Sequence, residues 1–588
     1  MHFFSHTILP LTLTALLTLT SCQNNPSFSK TPSSKNNPDT VFEQFTDEIF
    51  RNEITSNTLN LHYSIEDPKS CGITDYAISL GDYSKQARSE TQRYLSQLNS
   101  ELTTHPYSAL SLENQLTYDL LSDYLTTQLA LHQYELYEEP LSYSGGMQMQ
   151  LPILFAEYEL QSKQDVQDYL ALLGCTDEYF AQIMEFEKEK ADAGLFMSAE
   201  QCQAVIESCS AFLEKTDEHY LITTFENRIQ KLDLNKIEIT AYCKKNKEIL
   251  TEQLFPAYEA MIADLKTLQN KGKNPNGLSY FAQGKDYYAL LVYALTGCND
   301  SPEKLFHRIE QQRLEDLVAC TTLQTNNKTL LEEGSSFQLP TTDPNTILAL
   351  LQQKIQDDFP APPACTYTIH YVDSALEEYL APAFYIVAPL DDYTENTIYL
   401  NKGHLTDNLY TFTTLAHEGY PGHLYQTVMS YEYELPLVRS ILGYAGFTEG
   451  WATYIEMMSY AYTGMPEDFA LLLAHNQSAT LSLYASSDIG IHYYGWTKED
   501  MYNFWSSYGI CDTDVINEIT QLILSEPGNY LQYYVGYIEF LELLDYARAT
   551  LGNDFSLKEF HRAVLDIGPA PFSILEKYLT KYYRTPQT

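Results

Sequence analysis

From Val41 to about Gly334, apolar residues recur three and four positions apart in one segment after another, including Leu112 to Tyr134, Lys163 to Ala193, Ala199 to Lys215 and Asn235 to Gln269. This spacing lays the apolar groups along one stripe of an α-helix; a strand would alternate them every second residue. Pro, Gly or Asn interrupts the run between segments, so the stretch reads as separate helices that must bury their stripes against one another.

The rest of the composition fits a packed body. The 588 residues are 44% hydrophobic and include 48 Tyr, enough for a large core. Acidic side chains number 78 against 35 basic, a net charge of −43, which repels a phosphate backbone and excludes a nucleic-acid partner. Single cores stop growing beyond about 250 to 300 residues, so two lobes are expected. The looser stretches Gly334 to Asn345 and Phe359 to Ala364 mark the seam, giving a largely helical lobe over 41–334 and a second lobe over 335–588.

The amino-terminal apolar run, Ile8 to Leu19, is shorter than the roughly 20 residues a membrane-spanning helix needs and reads as the apolar part of a signal segment over 1–22. It closes in Leu19-Thr20-Ser21-Cys22, which resembles the lipobox of bacterial lipoproteins and predicts an extracytoplasmic protein anchored to a bacterial membrane through lipidated Cys22. Residues 23–40, rich in Asn, Ser, Pro and Lys, read as a flexible tether. The nine remaining Cys are scattered without CxxC pairs, so neither a disulfide framework nor a cysteine zinc site is expected, and Cys202 and Cys209 read as core thiols.

Beyond the seam the period changes to two. Thr366 to Val372, Phe384 to Val387 and Thr397 to Leu400 are short β-prone runs, predicting a small sheet beside the next helix. The strand Thr397 to Asn401 is expected either to offer an edge to an extended peptide or to sit in the core. The helix that follows, with Leu405, Leu409, Phe412 and Ala416 on one side, runs into His417-Glu418-Gly419-Tyr420-Pro421-Gly422-His423.

These words resemble the HExxH helix of zinc peptidases, in which two His four residues apart face one ion and the Glu serves as general base. Here the second His stands six residues on. In an unbroken helix His423 would point about 120° away from His417, so both cannot reach one ion unless the backbone departs from the helix between them. Pro421 lacks an N–H and clashes with the carbonyl of His417, four residues back, and Gly422 eases a turn; a bulge that absorbs two residues would restore the spacing of four. Glu449, 26 residues after His423 in Phe447-Thr448-Glu449-Gly450-Trp451-Ala452-Thr453-Tyr454-Ile455-Glu456, completes two His and one Glu, the ligand set of catalytic zinc sites with a fourth position left open. Glu456, two turns on, is either an acceptor that orients a ligating His or a solvated helix position.

HEGYPGH followed by TEGWATYIE resembles the bacterial family DUF885, grouped with gluzincin-like metallopeptidases. Further words agree: Asp488-Ile489-Gly490-Ile491-His492 with Gly495-Trp496-Thr497; Pro527-Gly528 with Gln532-Tyr533 and Gly536; and Phe560-His561 with Leu565-Asp566-Ile567-Gly568-Pro569. Tyr534 departs from the family, which often has Lys there. The resemblance implies a mainly α fold with a small sheet beside the active-site helix, in a two-lobed, zincin-like metallopeptidase clamshell. On this basis one zinc ion is expected on His417, His423 and Glu449, with Glu418 as general base and a peptide as substrate. His492 and Tyr533 are the candidates for stabilising an oxyanion, chosen because they sit in family-like words with Gly neighbours. The rivals are a zinc amidohydrolase of a non-peptide amide and a non-catalytic peptide-binding or scaffolding lipoprotein; Glu418 favours an enzyme, since a binding protein needs no base there.

Overall fold

The computed structural model describes residues 37–584 apart from 373–376, 378–379 and 406. The expected signal segment with Cys22, and the tether up to residue 36, lie outside the described residues. The body opens three residues before the expected Val41, with the helix Pro38–Ile54. Asn37 Oδ1 accepts from the Asp39 N–H, and Pro38 takes the first turn, where an N–H would have no helical partner.

Helices make up most of the described chain, and they surround one three-stranded sheet, β1 (Thr366–Tyr371), β2 (Ala383–Ile386) and β3 (Glu395–Leu400), as expected. The strand order is β1-β3-β2, with β1 parallel and β2 antiparallel to β3. The expectation that Thr397 to Asn401 offers an edge is therefore corrected: β3 is the central strand, with neighbours on both sides.

Alternation along the strands divides the interior. Ala383, Tyr385, Ile398 and Leu400 point into the larger core, whereas Phe384, with partly buried Ile386 and Tyr399, faces a second one. The second core is built on helices between Leu141 and Leu268, joined by Leu59, Leu80, Val372 and Leu380. The larger core joins helices from Phe42 to Leu125 and from Leu278 to Ile309 with those from Ile347 to Leu579. The cores thus do not divide near residue 334, which corrects the expected 41–334 and 335–588 partition. The reason lies in the helix Pro302–Asn326, which docks on the helix Glu467–Ile489: Arg313 donates to Ser486 Oγ at 2.8 Å, and Ser478 Oγ donates to Asp316 Oδ2 at 2.6 Å. Within the expected seam, residues 336–343 join the helices Leu330–Ser335 and Pro344–Lys354.

Cys202 and Cys209 are fully buried, as expected, and the nine Cys of the described residues are all free thiols. Among the described residues no helix is long and apolar enough to cross a membrane.

Candidate metal centre

The helix that delivers the first ligand, Asn408–Glu418, starts at Asp407, whose Oδ1 accepts from the Tyr410 N–H at 2.7 Å. Phe412, Leu415 and Ala416 seat it in the larger core, and His417 and Glu418 are its last two residues, both buried. A second helix, His423–Glu432, begins at the other histidine. The expected two-residue bulge in one helix is thus corrected to a break of four residues between two helices.

The glycines account for the break. A Cβ on Gly422 would lie 1.7 Å from the His417 carbonyl oxygen and 2.4 Å from that of Ala416, so only glycine lets the chain double back this closely. The last bond of the first helix runs from the Gly419 N–H to the Leu415 carbonyl, and the second helix is opened by Tyr425 and Gln426, whose N–H groups donate to the carbonyls of Gly419 and Gly422. With the axes now independent, the imidazoles converge, their ring centroids 4.8 Å apart and their planes at 82°.

Glu449 comes from the helix Ala445–Ser459 and is fully buried. Its Oε2 stands 3.7 Å from His417 Nε2 and 3.4 Å from His423 Nε2. One ligand atom from each of the three residues lies within 4.8 Å of the others. These separations exceed a good hydrogen bond, and the Nε2 atoms of both His and both carboxylate oxygens of Glu449 have no hydrogen-bond partner although buried. Four orphaned polar atoms facing a common point would be costly in a protein interior, and a cation among them removes that cost. His417, His423 and Glu449 thus form a buried group that could hold a metal ion.

The charges agree. Burial alone would raise the Glu449 carboxyl, but the imidazoles of His423 and His417 outweigh it and hold Glu449 at about 2. Burial would likewise lower His417, yet the carboxylates of Glu449, Glu456 and Glu418 bring it up to about 10. Glu456, expected either to orient a ligating His or to be solvated, lies beside His417, its Oε2 3.5 Å from Nδ1, while Gln477 donates to its Oε1 at 3.2 Å. Glu418 is raised by burial, against the lowering pull of His417 and His423. Its Oε2 accepts the backbone N–H of Tyr385 at 2.9 Å, which ties the carboxylate to β2. Since β3 occupies the other side of β2, that N–H leaves from the edge that pairs with no strand among the described residues.

Residues 67–579 match the profile of a family described as "Bacterial protein of unknown function (DUF885)". The chain belongs to the DUF885 family. The fold is shared with a solved protein described as "the putative lipoprotein from Colwellia psychrerythraea", at a TM-score of 0.79 and 19% identity over 93% of this chain and 99% of that one. It is shared also with a protein described as "a putative lipoprotein of unknown function from Shewanella oneidensis", at a TM-score of 0.63 and 16% identity over 92% and 99%. No curated protein matches the sequence.

Two other expected residues of this DUF885 chain fare differently. His492 is corrected: its Nε2 meets the Ile523 carbonyl at 2.8 Å, its Nδ1 accepts from the Leu278 N–H at 3.2 Å, and Tyr288 stacks on it. Both ring nitrogens are engaged by backbone, and burial lowers the ring to about 4, so it is a neutral structural histidine with no donor to spare for an oxyanion. Tyr533 is buried on the helix Asn529–Leu551, one turn before Gly536. A Cβ on Gly536 would lie 2.1 Å from the Gly446 carbonyl oxygen, and one on Gly450 would lie 2.5 Å from Gly536 backbone atoms. The Glu449 and Tyr533 helices thus touch backbone to backbone beside Glu449. Departing from the family pattern, Tyr534 is also buried, its hydroxyl 3.3 Å from Ser478 Oγ. The Tyr385 N–H and Gln477 were not anticipated. The first is a main-chain group with no side-chain signature, and Gln477 lies on a helix whose approach to Glu456 depends on tertiary packing.

Proposed function

We propose that this DUF885 protein is a zinc-dependent peptidase of gluzincin-like type, held outside the cytoplasm by lipidated Cys22. The observation that carries the proposal is the set of four orphaned, buried atoms on His417, His423 and Glu449, with Glu418 adjoining His417. Zinc in that place would acidify water and polarise a scissile carbonyl. Glu418 takes a proton from the attacking water and returns it to the leaving amine, and burial raises its affinity for that proton. The Tyr385 N–H fixes which carboxylate oxygen faces β2.

An extended peptide laid along the edge of β2 opposite β3 would run past Glu418, a binding mode that needs backbone pairing and no particular side chain. The sheet, between the two large cores, would floor the cleft of a two-lobed clamshell. Tyr533 is the remaining candidate to donate to an oxyanion. The lipoprotein assignment is supported by Leu19-Thr20-Ser21-Cys22 and by the descriptions of the Colwellia and Shewanella relatives. Zinc quantification of the purified protein, paired with mass-spectrometric analysis of a peptide-library digest, tests the function. Stoichiometric zinc with new peptide termini is the expected result; zinc without cleavage would leave a binding protein or an amidase of other amides.

A further inference from the structure

The four residues between the two histidine helices have an unusual need. Pro421 has no N–H to donate, and Gly422 is pressed against the carbonyls of Ala416 and His417, so the regular helical bonding that reaches Gly419 from one side and Gly422 from the other does not run through the middle of the break. While the second helix engages the carbonyls of Gly419 and Gly422, the carbonyl between them at Pro421 receives a side chain from elsewhere: Trp451 Nε1 donates to it at 2.9 Å in the interior. Trp451 stands two residues after Glu449 on the same helix, and Pro421 two residues before His423. The bond therefore links the backbone that aims His423 to the helix that carries Glu449. The indole itself has no freedom: it is fully buried, its ring centroid 5.6 to 6.2 Å from those of His561, Phe540, Phe359 and Tyr454.

We infer that Trp451 is a positioning residue of the metal centre, its indole N–H setting the separation of His423 from Glu449 by holding the Pro421 carbonyl. The inference rests on the metal-site reading above. The aromatic surroundings fix where the indole lies, and the hydrogen bond transmits that position to the break. Without the N–H the Pro421 carbonyl is left buried and unpaired, so the break relaxes toward another acceptor geometry and His423 moves with it. Loss of an outer contact that orients a metal ligand weakens metal binding by about 10- to 100-fold.

The test is zinc affinity by competition with a chromophoric chelator, measured on Trp451→Phe and on a protein carrying benzothienylalanine at position 451 by amber suppression. The second keeps the size and shape of the ring and removes only the N–H, so it remains informative should Trp451→Phe fail to fold. Phe540→Leu, which disturbs the packing around the indole and keeps its N–H, is the control. The expected result is zinc affinity weakened about tenfold or more in the benzothienyl protein, with shifted visible bands of its cobalt(II) form and a melting temperature near the parent's, while Phe540→Leu melts earlier and binds zinc as the parent does. Parent-like affinity and cobalt spectra in the benzothienyl protein would overturn the inference. Equal weakening in Phe540→Leu would also overturn it, by assigning the effect to packing. A parent that binds no metal would instead overturn the metal-site reading itself.

Discussion

The backbone N–H of Tyr385 donates to Glu418 Oε2 at 2.9 Å, so the edge strand and the carboxylate beside the metal ligands form one unit. Glu418→Gln retains an oxygen that can accept this bond and removes the ability to take up a proton. Zinc content should stay at the parent's level while peptide hydrolysis falls by about a hundredfold or more. Turnover of a library-derived peptide, measured beside metal analysis, checks this; undiminished turnover would transfer the base role to another group.

Zinc binding should also move protons. In the metal-free protein the carboxylates around His417 keep its imidazole protonated up to about pH 10, yet a ligating His must be neutral. About one proton should therefore be released per zinc bound at pH 7, and affinity should rise with pH below that limit. Calorimetry in two buffers of different ionisation enthalpy measures the release directly.

At the break between the helices, Gly422 and Pro421 should differ in consequence. Gly422→Ala places a Cβ 1.7 Å from the His417 carbonyl oxygen, so the chain must shift where it joins the two ligands, and zinc affinity should fall by about tenfold or more. Pro421→Ala adds a donor without that collision and should cost less. A ranking in the opposite order, from chelator competition, would locate the cause of the break in the missing proline N–H.

Asp488 offers a test of stability against pH. Burial raises its carboxyl to about 7 from the usual 3.8, although the Tyr288 hydroxyl and the Gly528 N–H donate to it. Between those values the native protein holds a proton that the unfolded chain has released, so this group lowers stability as pH rises through the window. Asp488→Asn keeps an acceptor and abolishes the titration. Denaturation midpoints from pH 4.5 to 7.5 should fall less steeply for the variant than for the parent; parallel curves would show that Asp488 ionises normally.

Gly536→Ala should destabilise by about 1 to 3 kcal/mol, as overpacking does, because the added Cβ would lie 2.1 Å from the Gly446 carbonyl oxygen. Thermal unfolding of the metal-free protein isolates this cost from any change in zinc binding.

Much of the site was legible because its chemistry is carried by side chains that name themselves: two His, a Glu beside the first and another Glu one helix later. The helices and the three strands were legible through their periods of 3.6 and two. The unread parts are relationships between distant segments. The central place of β3 depends on a strand that pairs with it, and the division of the cores depends on Arg313 and Asp316 meeting a helix more than 150 residues away. His492 looked catalytic in its motif, and only the arrival of the Leu278 N–H and the Ile523 carbonyl makes it structural. The Tyr385 contribution is a main-chain amide, which any residue except proline would supply equally well.

The glycine contact between the Glu449 and Tyr533 helices also bears on how the centre responds to heat and to substitution elsewhere. Where helices are separated by side chains, rotamer hopping and neighbouring mutations can dilate the gap. At Gly450 and Gly536 the separation is set by the van der Waals radii of main-chain atoms, which neither process alters. The carboxylate of Glu449 is thereby mounted on the least compliant kind of joint that two helices can make, and large changes in the surrounding aromatic residues can accumulate without displacing it.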